Sequence, residues 1–474
     1  MNDLIATHTD LYQINMSYVY YKDNIHEKEA VFEVFYRKNP FNGGHGVFAG
    51  TQRIIEVINN FKFLDSELSY LKKNFDYDDD FLNYLKNMKF TGTVFMPNEG
   101  EIIFANEPIV SIQAPLIQAQ LLETIILNII NYQTLIATKA SKIRSVCEGK
   151  LFEFGSRRAH ETNAALWGTR SAYIGGFDAT SLVKAGIEFD IPVVGTHAHS
   201  FIQVYGDEYT AFKKYASMHK DCSFLVDTYD VLKSGMKNAI KVSKEMKDEI
   251  NFNAIRIDSG DLAYLSKKAR KMLDDAGFVD TKIIVSNDLD EKIISSLLLQ
   301  EAPIDYWGVG TNIITASDNP ALGCVYKLVS VEKNDEMTDV IKISNSIEKI
   351  TTPGIKQIYR IYNKSTNKAI GDYLAVFDLK FDNEIIMYDE KWPLKYKKRK
   401  DIYVKEILKK IFENGKLIYD VPTISSVKEY HNSALTNFWD EHLRYTNPEY
   451  YPVTYSKEIY FNKINLINKH LGEL

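Results

Sequence analysis

The chain has 474 residues, 45% hydrophobic and 25% charged, with a formal net charge of −6. That length exceeds one compact core and predicts two or three domains, which fits a large enzyme and excludes a small binding module. The mildly acidic balance offers little attraction to nucleic acid, and the basic run KWPLKYKKRK at 391–400 reads as a solvated face.

Cys147, Cys222 and Cys324 are widely spaced without a CxxC pair, so neither a disulfide framework nor a zinc ribbon is expected. A reducing cytoplasm is the matching compartment. The start, MNDLIATHTDLYQ, lacks a basic region followed by an apolar one, and the most apolar stretch is interrupted by Glu123, Asn128 and Asn131. No signal peptide or membrane span is expected from this.

In chain order, residues 1–130 combine helical patterns with strand-like AVFEVFYRK (30–38) and TGTVFMPNEGEIIFANEPIVSIQAP (91–115), predicting an N-terminal α/β sandwich domain. Residues 131–330 hold the clearest rhythm: KLFEF (150–154), IPVV (191–194), SFLVD (223–227), AIRI (254–257), KIIVS (282–286) and DYWGVG (305–310) alternate with amphipathic stretches. In LAYLSKKARKMLDDAG, Leu262, Leu265, Ala269, Met272, Leu273 and Ala276 share a helical face, and Gly277 marks its stop. Repeated βα units imply a parallel sheet. Nearly every strand ends in a polar cluster, as a barrel whose strand ends converge on one mouth would require. An irregular α/β (TIM-like) barrel is therefore expected for this catalytic domain. Strand character resumes over 331–390, read as strands returning to the first domain, and 391–474 reads as a C-terminal extension for packing or an interface.

The strand-end clusters carry the chemistry. GTHAHS (195–200) places His197 and His199 one residue apart. As a metal pair they lack company: only His219, in a helical pattern, follows before His431. Gly308, Gly310, Thr311 and Asn312 form either a phosphate cradle or a plain tight turn, and neither GxxxxGK[ST] nor a strand-anchored GxGxxG occurs. In AIRIDSGDL, Arg256 and Asp258 share a face with Asp261 following; a guanidinium suits a carboxylate or phosphate, and carboxylates suit ribose hydroxyls or Mg²⁺. Arg157 beside Phe154 could stack a flat heterocycle and hold its anionic substituent. Together these residues suggest a phosphorylated sugar plus a planar ring.

As a set, TDLYQ (9–13), FEVFYRKNPF (32–41), EFGSRRAH (153–160), GGFDATS (175–181), GTHAHS, IRIDSGDL, SNDLDE (286–291) and GVGT with PALGCVYKLV (320–329) resemble the nicotinate phosphoribosyltransferase family. The resemblance implies a type II phosphoribosyltransferase fold and a homodimer with the site at the subunit interface. It implies an ATP-coupled, ligase-type reaction in which nicotinate and 5-phosphoribosyl 1-pyrophosphate give nicotinate mononucleotide and pyrophosphate, with Mg²⁺ required.

By the same resemblance His199 is the phosphorylated histidine and His197 a turn residue at a variable position. Tyr12, from the neighbouring subunit, and Phe154 would sandwich the pyridine ring, with Arg157, Thr196 and Arg256 also serving nicotinate. Gly310 and Thr311 would hold the 5-phosphate, and Asp258 and Asp288 the ribose and metal side, with the metal ligands themselves unassigned. Asp227 is the candidate carboxylate for orienting His199. The nearest rival, nicotinamide phosphoribosyltransferase, is disfavoured by TDLYQ and GTHAHS; a non-catalytic nucleotide sensor is disfavoured by the intact polar set.

Overall fold

A computed structural model describes residues 6–381, 384–389 and 396–472; residues 391–395 of the basic run lie outside the described residues. The chain divides into two compact units, one built from residues up to 135 with 321–422 and 429–474, the other from 136–320 with 423–428. Among the described residues no helix is long and apolar enough to cross a membrane.

The first unit holds a seven-stranded antiparallel sheet in the order Glu336–Asp339, Val325–Lys333, Glu29–Phe35, Val110–Pro115, Thr93–Met96, Lys409–Glu413 and Lys416–Leu417. The AVFEVF run is buried on both faces, Glu33 included, because the Lys356 ammonium lies 2.9 Å from its carboxylate. A second, six-stranded sheet contains Gln357–Asn363 paired with Ala369–Ala375, along with Ile402–Glu406 and Val453–Tyr455.

Two expected boundaries change. Residues 321–330 belong to this unit and not to the catalytic domain, because Val325–Lys333 pairs with Glu29–Phe35. The segment after 391 is no appended extension either: its strands fill positions inside both sheets.

The second unit contains a six-stranded, wholly parallel sheet in the order Ala179–Thr180, Lys150–Glu153, Tyr306–Val309, Lys282–Val285, Asn251–Ile257 and Asp221–Leu225. The expected closed barrel is thus an open half-barrel with two edges. The run at 191–194 forms no ladder strand, only a bridge between Thr180 and Val193, since Pro192 has no N–H to donate. Conversely, Ala179–Thr180 was hidden in GGFDATS, too short to show a period.

The helix Leu262–Asp275 buries Leu262, Ala263, Ser266, Ala269 and Leu273. Asp261 caps it by accepting from the Tyr264 N–H at 3.0 Å, and Gly277 leaves it at φ +89°. Asp261 therefore serves as a helix cap through Oδ1.

Candidate active site

At the strand ends of the second unit one guanidinium organises its neighbours. Arg256 Nε donates to Ser286 Oγ at 2.9 Å, Nη1 to Thr196 Oγ1 at 3.3 Å and Nη2 to Asp258 Oδ1 at 3.1 Å. Ser286 donates a further short hydrogen bond to Asp258. These bonds engage three of five guanidinium N–H groups and leave one on each Nη for an anionic ligand. The guanidinium also lies 5.4 Å from the centroid of the Phe154 ring. A planar anion is the shape this fork and ring accept.

Beside it, Asp227 has a side chain only 1% exposed. Its Oδ2 accepts from the Asp258 N–H at 3.1 Å and the Ser259 hydroxyl at 2.6 Å. Oδ1 is buried without a hydrogen-bond partner among the described residues and faces His199 Nε2 at 3.9 Å. His199 Nδ1 lies 3.1 Å from Thr228 Oγ1, and the ring is 41% exposed, open to a reactant. An unspent buried oxygen aimed at an exposed imidazole is an arrangement for holding the ring as it gains charge.

Phe154 is placed by what lies beneath it. A Cβ on Gly308 would fall 2.6 Å from the Phe154 ring, and one on Gly155 would fall 2.6 Å from the Gly310 carbonyl oxygen. The glycines of GVG and EFG therefore let two strand ends close together; the first of them makes room for the aromatic ring. Under this turn Glu153 is almost fully buried. It accepts from the Gly155 N–H, from Thr169 Oγ1 at 2.9 Å and from Thr180 Oγ1 at 2.7 Å. Burial raises its carboxyl pKa.

An open cavity of about 1070 Å³ is lined by the sheet and the 192–196 segment, running from Lys150 and Lys282 at strand starts to Phe154 and Thr196. Only Phe154 and Thr196 belong to both this wall and the polar cluster around Arg256 and His199.

The structure thus brings together Phe154, Thr196, His199, Asp227, Arg256 and Asp258. Gly310 and Thr311 begin the helix Thr311–Thr315, next to the Phe154 turn. Asp288 is exposed in a left-handed turn at φ +45°, fastened through its carbonyl, which accepts from Asn312 Nδ2 at 2.9 Å. Arg157 is exposed on a short 3₁₀ turn and makes no hydrogen bond or ion pair with the described residues. Tyr12 belongs to the first unit, 49% exposed on the helix Leu11–Lys22.

His197 is not a turn residue: it is 8% exposed, within reach of four aromatic rings. Sequence reasoning missed Ser286, Ser259, Thr228 and Glu153, although each lies in or next to a strand-end motif. Among the described residues no group of three or more His, Cys, Asp or Glu side chains could hold a metal ion. Asp258 and Asp288 alone are too few for a cage of protein ligands, so a divalent cation bound there would take most of its oxygen ligands from elsewhere.

Residues 7–131 match the family model described as the nicotinate phosphoribosyltransferase N-terminal domain, and residues 355–463 the C-terminal one. A nicotinate phosphoribosyltransferase of Bacillus subtilis (strain 168) is 54% identical over 471 residues, covering 99% of this chain and 96% of that protein. One from Caenorhabditis elegans is 35% identical, covering 98% of this chain and 94% of that protein. The crystal structure of human nicotinic acid phosphoribosyltransferase shares the fold, with a TM-score of 0.83 at 24% identity over 97% of this chain and 99% of that one. This chain belongs to the nicotinate phosphoribosyltransferase family.

Proposed function

We propose that this chain transfers the phosphoribosyl group of 5-phosphoribosyl 1-pyrophosphate to nicotinate in NAD salvage, releasing nicotinate mononucleotide and pyrophosphate, with ATP hydrolysed through a phosphohistidine at His199. The observation that carries the reading is the Arg256 fork beside Phe154, with the His199–Asp227 pair attached to the same cluster. The two unspent N–H groups of Arg256 take the nicotinate carboxylate, and Thr196 and Phe154 flank the pyridine ring. Arg157, three residues after Phe154, also serves nicotinate, and Tyr12 of a second copy closes the ring's other face in a cytoplasmic homodimer.

Displacement at the anomeric carbon builds positive charge on the ribose and negative charge on pyrophosphate; Mg²⁺, when bound, neutralises the latter. Asp258 and Asp288 serve the ribose and cation, and Gly310 with Thr311 the 5-phosphate. Asp227 Oδ1 faces Nε2, so Nδ1 is the nitrogen left to attack the γ-phosphorus of ATP. The N–P bond forms as the bond to ADP breaks, while the Nε2 proton stays beside Asp227, and Thr228 yields its place to the phosphoryl group.

Incubation with ATP, nicotinate and 5-phosphoribosyl 1-pyrophosphate, following nicotinate mononucleotide and ADP together, tests the reaction. Product should form with nicotinate and far more slowly with nicotinamide. His199→Ala should abolish ATP stimulation and leave slow ATP-independent turnover; ATP coupling that survives the substitution overturns the phosphohistidine.

A further inference from the structure

The half-barrel has two edges, at Ala179–Thr180 and at Asp221–Leu225. On the first edge the chain at 192–194 pairs by backbone: the Val194 N–H donates to the Thr180 carbonyl at 2.9 Å and the Thr180 N–H to the Pro192 carbonyl at 3.0 Å. On the second edge the Val226 N–H donates inward to the Arg256 carbonyl at 3.1 Å. Successive N–H groups of a strand alternate in direction, so the N–H of Leu225 points outward to the open edge. There its acceptor is a side chain, His197 Nε2, at 3.3 Å.

Residues 192–197 therefore touch both edges, by backbone on one side and by an imidazole on the other. The ring is held by Phe201, Phe212, Tyr215 and Phe224 at centroid distances of 5.5, 5.6, 5.2 and 6.4 Å. Burial lowers its pKa to about 4, which keeps the imidazole neutral, and the Leu225 N–H makes Nε2 the accepting nitrogen.

We propose that His197 is a positioning residue whose imidazole closes the seam left open by backbone pairing, and that this closure fixes Thr196 and His199 at the site. Thr196 precedes it directly and accepts from Arg256; His199 follows by two residues and begins the helix His199–Tyr205. Only the kinetic readout below rests on the function proposed above; the seam itself is a hydrogen bond that can be tested separately.

The experiment compares His197→Phe, which keeps a ring in the aromatic box but removes the acceptor, with His197→Gln, whose amide oxygen can take the place of Nε2. Tm, kcat, the KM for nicotinate and hydrogen exchange at the Leu225 amide are measured in each. The expected result is a kcat at least tenfold lower and a Leu225 amide exchanging at least tenfold faster in the Phe variant. The Gln variant should stay within threefold of the parent in both.

A Phe variant with parental kinetics and exchange overturns the proposal, as does equal loss in the two variants, which would reflect ring size alone. A parent enzyme that makes no nicotinate mononucleotide refutes the function, and the exchange comparison then still decides the seam. If the Phe variant fails to fold, exchange in the parent decides: a Leu225 amide at least tenfold slower than exposed amides supports the seam, and free exchange overturns it.

Discussion

Arg256 is valuable for the number of its donors as much as for its charge. Lysine at this position could not bond Thr196, Ser286 and Asp258 and still offer two further N–H groups. Arg256→Lys should therefore raise the KM for nicotinate by about tenfold or more, in line with the loss of a charge-assisted bond. Steady-state kinetics on nicotinate, with nicotinamide as the carboxylate-free control, checks this. Asp227→Asn is the second test at this scale. It keeps the shape but removes the charge facing His199, so ATP-stimulated kcat should fall about tenfold or more at nearly unchanged nicotinate KM. Arg256 and Asp258 were legible because alternate residues of a strand share a face, and Asp227 because it ends an apolar run. The hydroxyls of Ser286, Ser259 and Thr228 were not, since a strand-end serine or threonine reads equally well as a turn. His197 misled for a related reason: a polar type next to glycine and threonine reads as surface, and only the assembled rings of Phe201, Phe212, Tyr215 and Phe224 make it interior.

Two neighbouring strand ends, Lys150–Glu153 and Tyr306–Val309, depend on glycines for their spacing, and Gly308 is the one under the Phe154 ring. In Gly308→Ala the new methyl would meet Phe154 ring carbons at 2.6 and 2.8 Å and Ser286 Cβ at 3.2 Å. Overpacking of this kind costs about 1–3 kcal/mol. Because the displaced ring is the proposed nicotinate platform, the KM for nicotinate should rise more than that for 5-phosphoribosyl 1-pyrophosphate. Initial-rate kinetics in both substrates separates the two. Beneath the same turn, Glu153→Ala would leave the Thr169 hydroxyl and the Gly155 N–H without their acceptor, while the Thr180 hydroxyl keeps the residue-153 backbone carbonyl at 3.3 Å. Unsatisfied buried groups cost about 1–3 kcal/mol each, so denaturant unfolding should show a loss of roughly 3 kcal/mol. At this scale the βα rhythm gave the order of the long parallel strands along the chain. It could not give their order in the sheet, nor the two-residue strand Ala179–Thr180, because pairing partners leave no periodic trace in sequence.

Across the whole molecule, charge and polarity have been buried in places where composition predicted only an ordinary interior. In the first unit Arg360 is fully buried, yet Asp372 accepts from its Nε at 2.9 Å and its Nη2 at 2.8 Å, and Ile102 O accepts from Nη2 at 2.7 Å. Three histidines are also interior. Burial lowers the pKa of His45 to about 3, of His431 to about 4 and, in the second unit, of His197 to about 4. An ordinary histidine titrates near 6.5, so below that pH the unfolded chain binds protons that the native protein refuses. The stability due to these neutral rings is fully present above pH 6.5 and is lost as the pH falls through 6.5 towards 4. A depression such as that of His431 amounts to roughly 3 kcal/mol over that window. The buried carboxyls of Glu33 and Glu153 have raised pKa values and act in the opposite sense, adding stability as they protonate, so the total pH profile mixes the two effects. One substitution separates them. His431 Nδ1 bonds the Gly100 carbonyl at 2.9 Å, a contact that a glutamine amide can keep without titrating. In His431→Gln the rise of unfolding free energy with pH, measured by denaturant titration between pH 5 and 6, should be shallower by about one proton, or roughly 1.4 kcal/mol per pH unit at most. An unchanged slope would mean that His431 is protonated in the native protein, and that its burial does not hold the ring neutral.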